Sequence, residues 1–138
     1  MPEINSEKYE EKSLTNVSFS LNHSLNKSLK MYIYNVTINI ENSLHDEWLV
    51  WIETHISDVL NTGKFTSAKL TEVLAENESG RTYSVQYSAN SRKDLDDYYQ
   101  FDADKLRSDA IQKFGSKMLA FRTELKLVKE FYPINTSN

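Results

Sequence analysis

The chain has 138 residues, 39% of them hydrophobic and 26% charged, which is enough for one domain with a hydrophobic core of its own. Its net charge of −4 argues against nucleic acid or an anionic membrane as a partner, because both select basic surfaces. The absence of cysteine excludes disulfides and thiolate chemistry.

No stretch of the sequence is typical of a membrane or secretory segment. Apolar runs stay well below the roughly 20 residues that are needed to span a bilayer. The N-terminus carries Glu3 and Glu7 where a secretion signal has lysines, and no apolar segment follows them. We therefore expect a soluble, cytoplasmic protein.

Residues 1–30 differ from the rest in composition, being rich in Ser and Asn with Glu and Lys in balance. Burying their few large apolar side chains would contribute roughly 12 to 24 kcal/mol, whereas ordering this backbone costs roughly 30 kcal/mol or more. We predict a flexible N-terminal extension. Val17, Phe19 and Leu21 alternate as in a short strand, so docking onto the domain or a partner is an alternative.

The stretch from Met31 to Ile40 carries the strongest strand signal. β-Branched and aromatic residues fill it, and neither Gly nor Pro interrupts it. Successive side chains of a strand point to opposite faces, and one face of this strand is apolar and must pack on a core. This face comprises Tyr32, Tyr34, Val36, Ile38 and Ile40.

An amphipathic helix is predicted after this strand. Asn42 or Ser43 can cap its start, it should end near Asn61, and Gly63 supplies the reversal. Its apolar stripe recurs at spacings of three and four residues and comprises Leu44, Trp48, Ile52, His55, Ile56 and Val59.

A hairpin of two strands follows, from Phe65 to Ala75 and from Arg81 to Ala89, with a turn signal at 76–80. The second of these strands alternates cleanly. Tyr83, Val85, Tyr87 and Ala89 point one way, and Thr82, Ser84, Gln86 and Ser88 point the other way.

A second helix should run from a cap at Ser91 to Phe114, with Arg107 among the charged residues of its solvated outer face. A fourth strand is predicted over 117–128, and Pro133 ends regular structure. The folded domain is then 31–130 and the C-terminal tail 131–138. In the fourth strand we assign Leu119, Phe121 and Leu125 to the helix-covered face and Arg122, Glu124 and Lys126 to the opposite face.

The predicted order β-α-β-β-α-β is that of the ferredoxin-like fold, an α+β class with a four-stranded antiparallel sheet and two helices on one face. The opposite, open face would be polar. We expect a second copy to close it, giving a homodimer of the dimeric α/β-barrel type; a face left open to water is the alternative. The open face should hold Asn35, Thr37, Asn39, Lys69, Thr71, Thr82, Ser84, Gln86, Ser88, Arg122, Glu124 and Lys126.

Several motifs occur together: Tyr34-Asn-Val-Thr37, Trp48 with Trp51, His55-Ile56, Thr62-Gly63 with Phe65, Tyr83-Ser-Val-Gln-Tyr87, Phe114-Gly115 and Phe121-Arg-Thr-Glu-Leu125. Over about residues 31–128 they resemble a bacterial family of short proteins known as a domain of unknown function, and the last motif is the most specific. Members of that family typically begin where Met31 stands. One departure is Ser57, where the family would have a proline that bends the first helix.

The resemblance implies a branch of the dimeric α/β-barrel superfamily. That superfamily also contains small cofactor-free monooxygenases, haem-degrading enzymes and stress-responsive proteins. Membership implies the fold and no activity, because one fold hosts many functions.

His55 is the main candidate for chemistry, because it lies inside the apolar stripe of the first helix. The simpler interpretation is a partly buried histidine bonded to a backbone carbonyl. The alternative places it with Tyr34, Trp48 and Tyr87 in a pocket between sheet and helices, where an imidazole could act as a base or orient an acidic ligand.

Arg122 and Glu124 are two residues apart on one strand and so point the same way. They are either an ion pair across strands or across a dimer, or a site in which Arg122 binds a carboxylate or phosphate beside Asn35, Thr37 and Gln86.

The same strand order builds an RNA-recognition fold, but RNA stacking requires aromatic residues on the open face, and Tyr83 and Tyr87 share the apolar register. No spacing typical of a metal site occurs, and we expect no metal and no cofactor. Our leading hypothesis is a ligand-binding or interaction domain acting as a homodimer. The alternative is a cofactor-free monooxygenase or isomerase that acts on a small aromatic substrate with His55 as base.

Overall fold

A computed structural model describes residues 30–75 and 79–134. The predicted extension up to residue 29, the hairpin tip at 76–78 and the end of the predicted tail lie outside the described residues. Short 3-10 turns precede the first helix and the last strand. The helices and strands are β1 (Tyr32–Glu41), α1 (His45–Leu60), β2 (Ser67–Val73), β3 (Gly80–Ala89), α2 (Arg92–Phe101), α3 (Ala103–Phe114) and β4 (Met118–Lys126).

The four strands form one antiparallel sheet in the order β2-β3-β1-β4. β1 and β3 are the central strands and pair with each other, with Val36 of β1 opposite Val85 of β3. The predicted ferredoxin-like α+β fold is therefore confirmed, including the central position of its first and third strands.

The core lies between the sheet and the helices. Tyr34, Tyr83 and Tyr87 are buried on the helix-covered face, as the alternation of the first and third strands predicted. Trp48, from α1, is fully buried beside them. The helices cover this face because both the strand alternation and the helical stripe present apolar side chains to it.

The predicted second helix is interrupted. Asp102 leaves helical geometry with φ −125° and ψ −32°, and its carboxylate accepts a hydrogen bond from Lys64 Nζ at 2.8 Å. The chain therefore bends between α2 and α3, where the apolar spacing had indicated one straight helix. By contrast, α1 continues through Ser57 without a break.

The predicted faces of the fourth strand were wrong. Arg122 pairs with Val36, so Arg122, Glu124 and Lys126 face the helices, and Leu119, Phe121 and Leu125 face outward. A shift of one residue exchanges the two faces of a strand, and this strand carries apolar residues on both, so alternation alone could not decide the register. The 3-10 turn Gly115–Lys117 sets the register by delivering Met118 opposite Ile40.

In the part of the chain that the structure describes, every helix is too short or too polar to cross a lipid bilayer.

Candidate functional site

A cleft opens between the helix-covered face of the sheet and the helices α1 and α3. Its volume is about 480 Å³, including the space at its mouth that is open to solvent. Its walls are mostly apolar, with a few polar groups that converge, as in many small-molecule sites. The lining residues are Tyr34, Val36, Ile38, Trp51, Ile52, His55, Val59, Val85, Tyr87, Tyr98, Leu106, Arg107, Ala110, Met118, Ala120 and Arg122.

Aromatic rings form one end of the cleft. Tyr34 stacks on Tyr87 with ring centroids 5.9 Å apart and on Phe65 at 6.1 Å, and Tyr98 packs against it at 5.6 Å. Burial raises the pKa of Tyr87 and Tyr98, so both hydroxyls stay protonated at neutral pH. This end of the cleft is rigid because four rings from β1, β3, α2 and the loop before β2 hold one another.

Two arginines meet at the hydroxyl of Tyr34. Arg107 Nη2 donates to this oxygen at 3.0 Å, and Arg122 Nε donates to it at 3.1 Å. Arg122 was a candidate from the sequence, whereas Arg107 had been assigned to the solvated face of the second helix. One signal in the sequence indicates the observed position. Arg107 follows Leu106 and precedes Ala110 by three residues, which places it at the edge of the buried stripe.

Neither arginine has a carboxylate within 4.0 Å among residues 30–75 and 79–134. The other arginines of the chain do: Arg81 Nε bonds Glu72 at 3.0 Å, and Arg92 Nη1 bonds Glu124 at 2.7 Å. Positive charge at the cleft is thus left without a negative partner in the described chain.

Glu124 does not pair with Arg122, although both face the helices. Its carboxylate accepts hydrogen bonds from Arg92 and, at 2.6 Å, from the hydroxyl of Tyr99. Burial opposes ionisation, but these hydrogen bonds outweigh it and hold the pKa of Glu124 below its ordinary value. The predicted ion pair is therefore replaced by a bridge from β4 to α2.

Asn35 and Gln86 lie on the opposite face of the sheet from the cleft. Asn35 Oδ1 accepts a hydrogen bond from Ser84 Oγ at 2.6 Å, and its amide donates to Thr37 Oγ1 at 3.3 Å. The hypothesis that Arg122 shares a site with Asn35, Thr37 and Gln86 is wrong, because the corrected register of β4 puts the arginine on the other face.

Trp48 lies away from the cleft, in the core beside Tyr83, with ring centroids 5.0 Å apart. Its indole Nε1 has no hydrogen-bond acceptor in the described chain. On the same side of the core, His45 Nε2 and the hydroxyl of Tyr83 share a buried hydrogen bond of 2.7 Å. The predicted pocket thus keeps Tyr34, His55 and Tyr87 but loses Trp48.

His55 lines the cleft from α1 and stacks on Trp51, with ring centroids 4.5 Å apart and planes 21° from parallel. Burial lowers its pKa, while the carboxylates of Asp58 and Asp109 oppose the shift. The imidazole forms no hydrogen bond to the described residues, so the predicted bond to a backbone carbonyl is not made. It is a neutral, half-buried group whose nitrogens are free to accept or donate.

Comparison with known proteins shows the family of this chain. The model of a domain of unknown function (DUF4286) matches residues 31–128. The chain belongs to this family. No match was found among curated proteins.

The fold of this family member is similar to a crystal structure of a dimeric ferredoxin-like protein from an uncultured marine organism. The TM-score is 0.59 at 7% sequence identity, and the likeness covers 73% of this chain and 98% of the other. At this identity the likeness shows the fold alone. Neither comparison supports the hypothesis of a monooxygenase or isomerase.

Within the ranges that the structure describes, no three His, Asp or Glu side chains are grouped so that they could hold a metal ion. The polar groups at the cleft are instead guanidinium, phenol and imidazole groups, which bind ligands by hydrogen bonds and charge.

The pH dependence of stability tests the environment of His55. Its pKa in the folded protein lies below the ordinary value of 6.5, so the unfolded state binds more protons between that lowered pKa and 6.5. We therefore expect stability to fall as the pH drops from 7.5 to 5.5, and to fall less in His55→Gln. Urea unfolding of both proteins at the two pH values measures this, and equal pH slopes would contradict it.

Proposed function

We propose that this protein is a small-molecule binding domain that acts as a homodimer, with one ligand in each cleft. The observation that carries the proposal is the cleft itself: an apolar space between sheet and helices into which Tyr34, His55, Arg107 and Arg122 present polar groups. The cytoplasmic location that the sequence leads us to expect is also part of this proposal.

The open face of the sheet supports the dimer. Its β4 row carries large apolar side chains that are well exposed: Leu119 at 55%, Phe121 at 67% and Leu125 at 40%. Glu41 and Lys69 are the charged side chains among the described strand residues of this face, and each lies near its margin. An apolar row on a nearly uncharged face is typical of an interface, because a monomer would leave that area in water.

The structural neighbour is described as a dimeric ferredoxin-like protein, which supports a dimer of this fold. Two sheets packed about 10 Å apart would bury both open faces. The cleft lies on the opposite side of the sheet, so association would leave both clefts open to ligand.

Filling the cleft tests the binding function. Ala120 faces the cleft opposite Ile38, so Ala120→Leu should occupy part of the space, whereas Ala75→Leu adds the same atoms at an exposed position beyond β2. The measurement is the thermal shift of each protein with a panel of aromatic acids, amides and alcohols. A ligand at 100 times its Kd stabilises by roughly 2.7 kcal/mol, which raises Tm by roughly 10 °C in a domain of this size.

We expect panel members to raise Tm in the unmodified protein and in Ala75→Leu, and the shift to be lost in Ala120→Leu. An equal shift in Ala120→Leu would place binding elsewhere. A panel without any effect on the unmodified protein would contradict the function.

A further inference from the structure

We propose that the cleft selects a carboxylate on an apolar body, with the carboxylate held between Arg107 and Arg122 and the body against the apolar walls. This inference names the ligand class for the binding function proposed above and rests on it.

The first reason is the convergence of two cations on one uncharged oxygen. Both guanidinium groups donate to the hydroxyl of Tyr34, at 3.0 Å from Arg107 and 3.1 Å from Arg122. A phenol oxygen accepts hydrogen bonds without supplying the full negative charge of a carboxylate. No carboxylate of the described chain offsets the repulsion between the two arginines.

The second reason is the contrast with the other two arginines. Arg81 and Arg92 have acidic partners at 3.0 and 2.7 Å. In the described chain the two cleft arginines have no such partner, so the site is complementary to an anion that comes from outside.

The third reason is an unsatisfied donor. Nε of Arg107 is buried and has no acceptor in the described chain. Buried polar groups without a partner are rare, because each forfeits its hydrogen bonds to water. A guanidinium presents its N–H groups as a planar fork that matches the two oxygens of a carboxylate, so an entering carboxylate could accept from the free donors of both arginines.

The remaining walls define the body of the ligand. No lysine lines the cleft in the described chain, and the imidazole of His55 is neutral, so nothing beyond the two arginines is suited to a highly charged ligand. The rest of the space favours an aryl or branched aliphatic group. The aliphatic part of its lining includes Val36, Ile52, Val59, Val85, Leu106 and Met118.

The test compares 2-naphthoate with 2-naphthamide, which have nearly the same shape and differ in charge. Isothermal titration of the full-length protein should give a Kd for naphthoate at least tenfold below that for the amide. Arg107→Gln and Arg122→Gln should each remove this preference by weakening naphthoate binding tenfold or more, with little change for the amide. Arg81→Gln, a matched change at the surface, should leave the preference intact.

Each outcome bears on a different statement. Equal affinities for acid and amide, both lost in Ala120→Leu, would overturn the carboxylate inference and leave the binding function standing. Inorganic phosphate that competes as well as naphthoate would overturn the apolar body. Failure of both naphthyl probes to bind would overturn the inference, and the panel of aromatic compounds would then judge the function separately.

If a glutamine variant does not fold, a second pair of variants tests the same two residues. Arg107→Lys and Arg122→Lys keep the charge but lose the planar fork. Each should still prefer naphthoate to naphthamide, by a smaller factor than the unmodified protein. A preference as large as that of the unmodified protein in both lysine variants would contradict recognition by the guanidinium fork.

Discussion

Phe121→Asp is expected to convert the proposed homodimer into a monomer. Phe121 projects from the middle of β4 onto the open face, opposite Thr37, and is 67% exposed in the single chain. A charge there would be buried unpaired between two sheets, and truncating an aromatic residue that anchors an interface typically costs roughly 2 kcal/mol or more. We expect the dimer dissociation constant to rise on the order of 30-fold or more.

Sedimentation velocity across a concentration series measures this change. Phe101→Asp is the matched control, because Phe101 is also 67% exposed but lies at the end of α2, on the helical side of the molecule. The control should dimerise like the unmodified protein. Monomeric behaviour of the unmodified protein at high concentration would contradict the dimer. An unchanged dimer in Phe121→Asp would contradict an interface at the open face.

Trp48→Ala is expected to destabilise the fold by roughly 3 to 5 kcal/mol, which is a large part of the stability of a domain this size. Trp48 is fully buried from α1 against Tyr83, so truncation leaves a cavity between helix and sheet. Val50→Ala, on the same helix at 75% exposure, should cost within about 0.5 kcal/mol. Urea unfolding of both variants provides the comparison.

Trp48→Phe separates the packing of the ring from its polar atom. The indole Nε1 has no acceptor in the described chain, so phenylalanine removes an unsatisfied donor while it keeps most of the apolar contact. We expect a cost well below that of alanine. A cost as large as that of Trp48→Ala would mean that the indole N–H makes a hydrogen bond important for stability.

Much of the fold could be predicted from the sequence because local periodicity and burial agree in its centre. Tyr34 and Tyr87 sit on strands whose apolar side chains lie mostly on one face, so their orientation follows from alternation. His55 lies on a helix whose apolar stripe is continuous, and it does reach the space between helix and sheet. These residues of the candidate site were therefore accessible to sequence reasoning.

The orientation of the edge strand could not be predicted in this way. β4 is an edge strand with apolar residues at both Ala120 and Phe121, so its hydrophobic pattern fits either face. Its true register depends on where the preceding turn delivers the chain. That single difference moved Arg122 into the cleft and exposed the apolar row that we assign to the dimer.

The sequence by itself determined the order of strands and helices, the buried face of β1 and β3, and the position of His55 over the sheet, because each depends on a repeat of two or about 3.6 residues. Only the tertiary structure decided that Arg107 and Arg122 meet at Tyr34. The two contacts join Tyr34 on β1 to Arg107 on α3, which is 73 positions away, and to Arg122 on β4, which is 88 positions away. Their geometry depends on the bend at Asp102 and the register of β4, which are set by packing between elements and leave no periodic signal in the chain.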